Sequence, residues 1–202
     1  RTMVLNVEGI NCPYKRQEIE EYAETRSISL GLFSETQHAH SSEEGGAERV
    51  NTEGETVRGK YKWFYSSGAK PEDVEKSEKM KREGKRRPQE VFEKARERAG
   101  VAIMISKQLH KHMETIEPAG SRMMRVRLKL QKKMDIIIVY APPVDRPDTE
   151  KDAFYEQLKK MIEDTPAKNT LIIAGDLNAK AMKPKTDVEA KVIGKHAVYH
   201  PE

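Results

Sequence analysis

The chain has 202 residues, 36% hydrophobic and 35% charged, with a formal net charge of +4. That length allows one domain with a sizeable core, and the mild basicity is compatible with a polyanionic partner as well as with a solvated surface. A lone cysteine, Cys12, excludes an intrachain disulfide framework and a multi-cysteine zinc site, so the expected compartment is intracellular and reducing. No apolar run reaches the roughly 18–20 residues that span a membrane, and no signal-peptide core is visible at the N-terminus.

In chain order, residues 2–7 read as a strand and 8–11 as a loop. Pro13 suits the first turn of a helix that runs to about residue 26, with Ile19, Tyr22 and Ala23 on one face. Residues 28–34 form a near-continuous apolar strand, which predicts burial on both faces. A Ser-, Glu- and Gly-rich loop over 36–57 precedes a third strand at 61–66. Composition then shifts: from 70 to 98 roughly two residues in three are charged, both signs interleaved at helical spacing and interrupted by Gly84 and Pro88.

Residues 100–106 resume the core as a fourth strand. In 123–130, Met124, Val126, Leu128 and Leu130 alternate with Met123, Arg125, Arg127 and Lys129, the pattern of a strand with one wet face. Residues 134–140 follow after a short polar turn and complete a hairpin. Pro142, Pro143 and Pro147 stiffen the next loop, and Asp148 or Thr149 caps a helix with Phe154, Leu158, Met161 and Ile162 on its apolar face. A strand at 170–175 is the last periodic element, and there is no internal repeat.

Four of these runs end in side chains suited to phosphate or metal chemistry. Residues 2–5 lead into Asn6, 28–33 into Glu35, 136–139 into Tyr140, and 171–175 into Asp176 and Asn178. Strand alternation would point Asp176 and Asn178 the same way, and Gly175 lets a ligand or another backbone approach closely. Phosphodiester hydrolysis needs a divalent cation, an activated water and donors for the nonbridging oxygens. Glu35 and Asn6 offer hard oxygen ligands for Mg2+, Asp176 a base or second metal contact, and Asn178 and Tyr140 hydrogen bonds to phosphate. Each has an ordinary alternative: Asn6 as a turn residue, Glu35 as a solvated strand end, Tyr140 as packing, and Asp176 with Asn178 as an Asx turn. Joint occurrence at four strand ends favours a site.

The ordered motifs Leu5-Asn6-Val7-Glu8-Gly9-Ile10, Phe33-Ser34-Glu35-Thr36, Gly100-Val101-Ala102-Ile103, Val139-Tyr140-Ala141-Pro142 and Gly175-Asp176-Leu177-Asn178-Ala179 resemble the endonuclease/exonuclease/phosphatase (DNase I-like) superfamily. Residues 125–130 followed by 137–142 are similar to the endonuclease domains of LINE-type retrotransposons. The resemblance implies an α/β fold, a four-layer sandwich, and Mg2+-dependent cleavage of DNA, in the nucleus for a retrotransposon endonuclease. It puts the metal on Glu35 with Asn6 assisting, the base role on Asp176, phosphate and water positioning on Asn178, and phosphate contact or proton delivery on Tyr140.

The family pattern continues to a Ser-Asp-His segment that nothing after Asn178 supplies, and His196 and His200 read as loop residues. The expectation is a single partial domain over 1–202, incomplete at its C-terminus, with weak or no turnover and a charged insertion at about 67–99. Its second sheet is expected to present an apolar edge, covered by the remainder of a longer polyprotein or by another chain. Arg122, Arg125 and Arg127 favour DNA over lipid, and Lys85, Arg86 and Arg87 belong to a basic cluster that could track a phosphate backbone. His38, His40, His110 and His112 read as loop or surface residues. The alternatives are a phosphatase acting on lipid or nucleotide phosphates and a non-catalytic remnant serving as a binding or structural subunit.

Overall fold

A computed structural model describes residues 1–10, 12–37, 49–50, 54, 56–67, 79–80, 82–86, 100–179, 184 and 186–192. Along these the chain runs β1 (Thr2–Asn6), α1 (Pro13–Thr25), β2 (Leu30–Ser34), β3 (Arg49–Val50), β4 (Tyr61–Ser67), β5 (Val101–Ser106), α2 (Lys107–His110) and β6 (Met113–Pro118). It continues through β7 (Met123–Lys129), β8 (Lys133–Tyr140), α3 (Asp148–Glu163), β9 (Thr170–Asp176) and α4 (Asp187–Val192). One sheet has the order β1-β2-β5-β4-β3 and the other β6-β7-β8-β9. The pairs β1/β2 and β8/β9 are parallel, and the rest are antiparallel.

Side-chain parity sorts the core into layers. Leu30, Leu32, Phe64, Val101, Ile103 and Ile105 from the first sheet meet Met124, Val126, Leu128, Ile136, Ile138 and Tyr140 from the second. The opposite parity faces outward, where Phe33, Trp63, Tyr65, Ala102 and Met104 pack with Ala23 and Ile19 of α1. Met123, Ile137 and Val139 lie under Phe154, Leu158 and Met161 of α3. Helix, sheet, sheet and helix make the expected four-layer α/β sandwich.

Several elements differ from the sequence reading: β3, α2 and α4 were not foreseen, and β7, β6 and β2 depart from it. The supposed wet face of β7 is covered: Met123 is fully buried and Arg125 is 7% exposed, because α3 lies across it. Strand β6 was not foreseen, since an edge strand with two exposed acidic or hydroxyl positions and a terminal proline shows no clean alternation. The second strand begins at Leu30 and not at residue 28, because Ser27 turns the chain through a left-handed conformation (φ 53°).

At the ends of the sheets, β1 and β9 are paired on one side only among the described residues, with β2 and β8 respectively. Val4 stands opposite the core residue Leu32, and Ile172 opposite the core residue Ile136, so both face inward, yet they are 45% and 41% exposed. The outward-facing Leu5 and Ile173 are also open to solvent. Among the described residues an apolar edge, expected of the second sheet alone, is open on both sheets as one rim where they meet water together. No helix among the described residues is long and apolar enough to cross a membrane.

Candidate functional site

The two parallel pairs align strand ends. Asn6 stands opposite Ser34, one residue before Glu35, and Tyr140 stands opposite Asp176. Because the sheets stack, these four ends converge at one corner of the sandwich. Asn6 Nδ2 donates to Asp176 Oδ2 at 3.2 Å, and the Tyr140 hydroxyl donates to Glu35 Oε1 at 2.6 Å, both across the gap between sheets.

Glu35 does not arrive there by strand alternation. Phe33 faces outward and Ser34 inward, so a continuing strand would send Glu35 out toward α1. Its left-handed backbone (φ 53°) breaks the strand and brings the carboxylate to Tyr140. Neighbouring backbone secures this turn: Gly9 N donates to Glu35 O at 2.7 Å, Ile10 N to Thr36 O at 2.9 Å, and Thr36 N to Gly100 O at 3.0 Å. Glu8, Gln37 and Asn178 also have positive φ, so four non-glycine residues in this costly region gather around the strand ends.

At the end of β9, Gly175 has φ +138°, and a Cβ there would stand 1.9 Å from Val139 O. The close approach foreseen from sequence is thus made by the neighbouring strand's backbone. Asp176 faces inward with Tyr140, and its Oδ1 accepts from Asn178 N at 2.8 Å, an Asx turn. The strand stops at Asp176, so Asn178 is not placed by alternation. Instead, its Nδ2 donates to Ala141 O at 2.6 Å while Ala141 N donates to Asp176 O at 2.8 Å, which folds Asn178 back toward Tyr140. The site uses the Asx turn as its support.

Tyr140 is buried, Glu35, Asp176 and Asn178 are half-buried, and Asn6 is exposed, so the cluster opens to solvent on the Asn6 side. Burial, with the adjacent Glu35 acceptor and its charge, pushes the Tyr140 phenol up to about 12, while Arg122 and Asn178 oppose the shift. It is therefore a neutral hydrogen-bond donor throughout the physiological range. The oxygen donors of Glu35, Asp176 and Asn6 suit a hard cation. No group of three or more His, Cys, Asp or Glu gathers among the described residues. That donor set fits Mg2+, which is held through one or two carboxylates with water and substrate phosphate, and it lacks the imidazoles or thiolates of a zinc site.

The basic residues divide. Arg122 reaches the site: its guanidinium lies 5.2 Å from the centroid of the Tyr140 ring and pairs with Glu150 at 2.9 Å. Arg125 and Arg127, read from sequence as nucleic-acid contacts, are not brought to this cluster, because their parity places them on the outer face of the second sheet. There Arg125 pairs with Glu117 and donates to Met161 O at 3.1 Å, and Arg127 donates to the fully buried Asp135 at 2.8 Å. Asn169 Nδ2 donates to the other oxygen of Asp135 at 2.6 Å. Lys85 pairs with Glu83 at 2.8 Å and Arg86 is exposed. Arg87, His38, His40, His196, His200 and most of 70–98 lie outside the described residues. His110 is half-buried and stacks on Phe64, with centroids 6.1 Å apart, and His112 is exposed. Sequence reasoning missed Glu150, whose place in the first turn of a helix carries no signal of its reach to Arg122.

No family model matches the sequence. Over 84 residues it is 34% identical to craniofacial development protein 2 of Bos taurus, which covers 41% of this chain and 14% of that protein. Its structure is similar to AP endonuclease LMAP from Leishmania major, with a TM-score of 0.50 at 11% identity over 89% of this chain and 54% of that one. It is also similar to D. rerio TDP2 in complex with a single-strand DNA product, with a TM-score of 0.44 at 11% identity over 89% of this chain and 60% of that one. The chain thus spans less than two thirds of the length of each. Two stacked mixed sheets between outer helices, shared with the Leishmania protein over 89% of the chain, make a DNase I-like α/β fold.

Proposed function

We propose that this chain is an endonuclease-type domain, resembling those of LINE-type retrotransposons, that hydrolyses DNA phosphodiesters with Mg2+. The observation that carries this reading is the convergence of Asn6, Glu35, Tyr140 and Asp176 from four strands and both sheets through two hydrogen bonds of 3.2 and 2.6 Å. Packing alone does not require two carboxylates, an amide and a phenol at one solvent-facing corner. The fold shared with an AP endonuclease is compatible with this reading.

In this reading Glu35, with Asn6, holds Mg2+, which supplies neutralisation of charge on the phosphate. Asp176 takes the proton of the attacking water as the new P–O bond forms and the bond to the leaving oxygen breaks. The Tyr140 hydroxyl, held beside Glu35, would turn its single proton from that carboxylate to a nonbridging oxygen once Glu35 is engaged with the metal, and Asn178 positions phosphate and water. Among the described residues no histidine joins the cluster.

Nicking of supercoiled plasmid in Mg2+ is the test. Glu35→Ala and Asp176→Ala are each expected to reduce the rate on the order of 100-fold or more. Activity that survives both substitutions overturns the site assignment, and an inactive parent chain favours a non-catalytic binding role.

A further inference from the structure

Arg122 is drawn to Tyr140 rather than toward solvent. It stands one position beyond the Met123/Val139 pair, and Tyr140 N donates to its carbonyl at 2.8 Å. Its side chain is 15% exposed and folds back over the Tyr140 ring face, 5.2 Å from the centroid. One terminal nitrogen donates to Glu150 Oε1 at 2.9 Å, and the other reaches Tyr140 O at 3.5 Å. Glu150 comes from the first turn of α3, so the start of β7, the end of β8 and the start of α3 close on one another through this guanidinium.

Such an arrangement constrains the ring. Core packing already holds the Tyr140 ring in the inner layer, and a cation over its face, anchored at a carboxylate, further limits the tilt of the ring at the strand end. Binding phosphate through the terminal nitrogen that pairs with Glu150 would require Arg122 to leave that carboxylate. We propose that Arg122, clamped by Glu150, is a positioning residue that holds the Tyr140 hydroxyl on Glu35, and is not a direct DNA contact. The catalytic consequence rests on the endonuclease reading; the positioning does not.

Both parts can be measured on the whole chain. With tyrosine labelled at Cζ with 13C, the Tyr140 signal among seven tyrosines is assigned by its loss in Tyr140→Phe, and Glu35→Gln marks the shift caused by losing the acceptor. Arg122→Met and Glu150→Gln are expected to move that signal in the Glu35→Gln direction at neutral pH and to leave the other six in place. In nicking assays they are expected to lower kcat about tenfold, with KM changed less than about twofold. An unmoved Tyr140 signal in a folded variant, or a raised KM with kcat intact, overturns the proposal. If Arg122→Met does not fold, Glu150→Gln decides alone by the same criteria. If the parent chain does not nick DNA, the endonuclease reading fails while the NMR shifts still decide the positioning.

Discussion

Gly175 shows how far a single residue could be read. Its lack of a side chain pointed to a close approach at the end of β9, and that approach exists, with Val139 O 1.9 Å from where a Cβ would stand. Gly175→Ala should cost roughly 3 kcal/mol or more, from backbone strain and overlap together, measured as a lowered urea midpoint. A midpoint equal to the parent's would contradict the β8/β9 packing. Glu20 was not singled out in the sequence, because a charged helix residue gives no local sign of burial. It is fully buried, accepts from Trp63 Nε1 at 2.7 Å, and burial chiefly raises its pKa above 4.5, with the Trp63 bond partly offsetting that. A carboxyl with a raised folded pKa contributes stability that is fully present below the unfolded value and is lost as pH rises through the folded one. Glu20→Gln, which keeps the acceptor, should therefore gain stability over the parent between pH 4.5 and 8 in urea titrations; a constant difference across that range would count against the shift.

At the scale of elements, β7 was legible in half of its chemistry. Its period showed Met124, Val126 and Leu128 on the core side, where they are buried. The period could not show that α3 would cross the other side, because that contact joins Arg125 to Met161, 36 positions away. Charges that read as solvent-facing, and then as DNA-facing, instead form an internal network centred on Asp135, which is fully buried and accepts from Arg127 and Asn169 at 2.8 and 2.6 Å. Asp135→Ala should destabilise the chain by about 3–5 kcal/mol, since it leaves the buried side of Arg127 unpaired. Chemical denaturation checks this, and a loss below about 1 kcal/mol would mean that water satisfies the network.

At the scale of the molecule, Val4, Leu5, Ile172 and Ile173 form an open apolar rim among the described residues. Edge strands with apolar residues on both faces invite pairing with other chains. The parent should therefore self-associate with rising concentration in light scattering, and Leu5→Lys with Ile173→Lys should reduce this. A parent that stays monomeric, with no difference from the double variant, would show that the rim is not adhesive. The candidate site lies at the same side of the sandwich, since Asn6 and Asp176 end the two rim strands.

The sequence by itself determined most of the strands, though not β3 or β6, together with the residues that end the four site strands and hence the chemistry available, because alternation and turn preference are properties of local backbone geometry. Tertiary structure decided which ends meet. The bonds that assemble the site join residues 170 and 105 positions apart, and Glu35 reaches Tyr140 only because its backbone leaves the strand conformation. Tertiary structure also turned Arg125 and Arg127 into internal ion-pair residues and left Arg122 on the ring of Tyr140. A side chain's neighbours depend on how sheets and helices stack, and no local period encodes that.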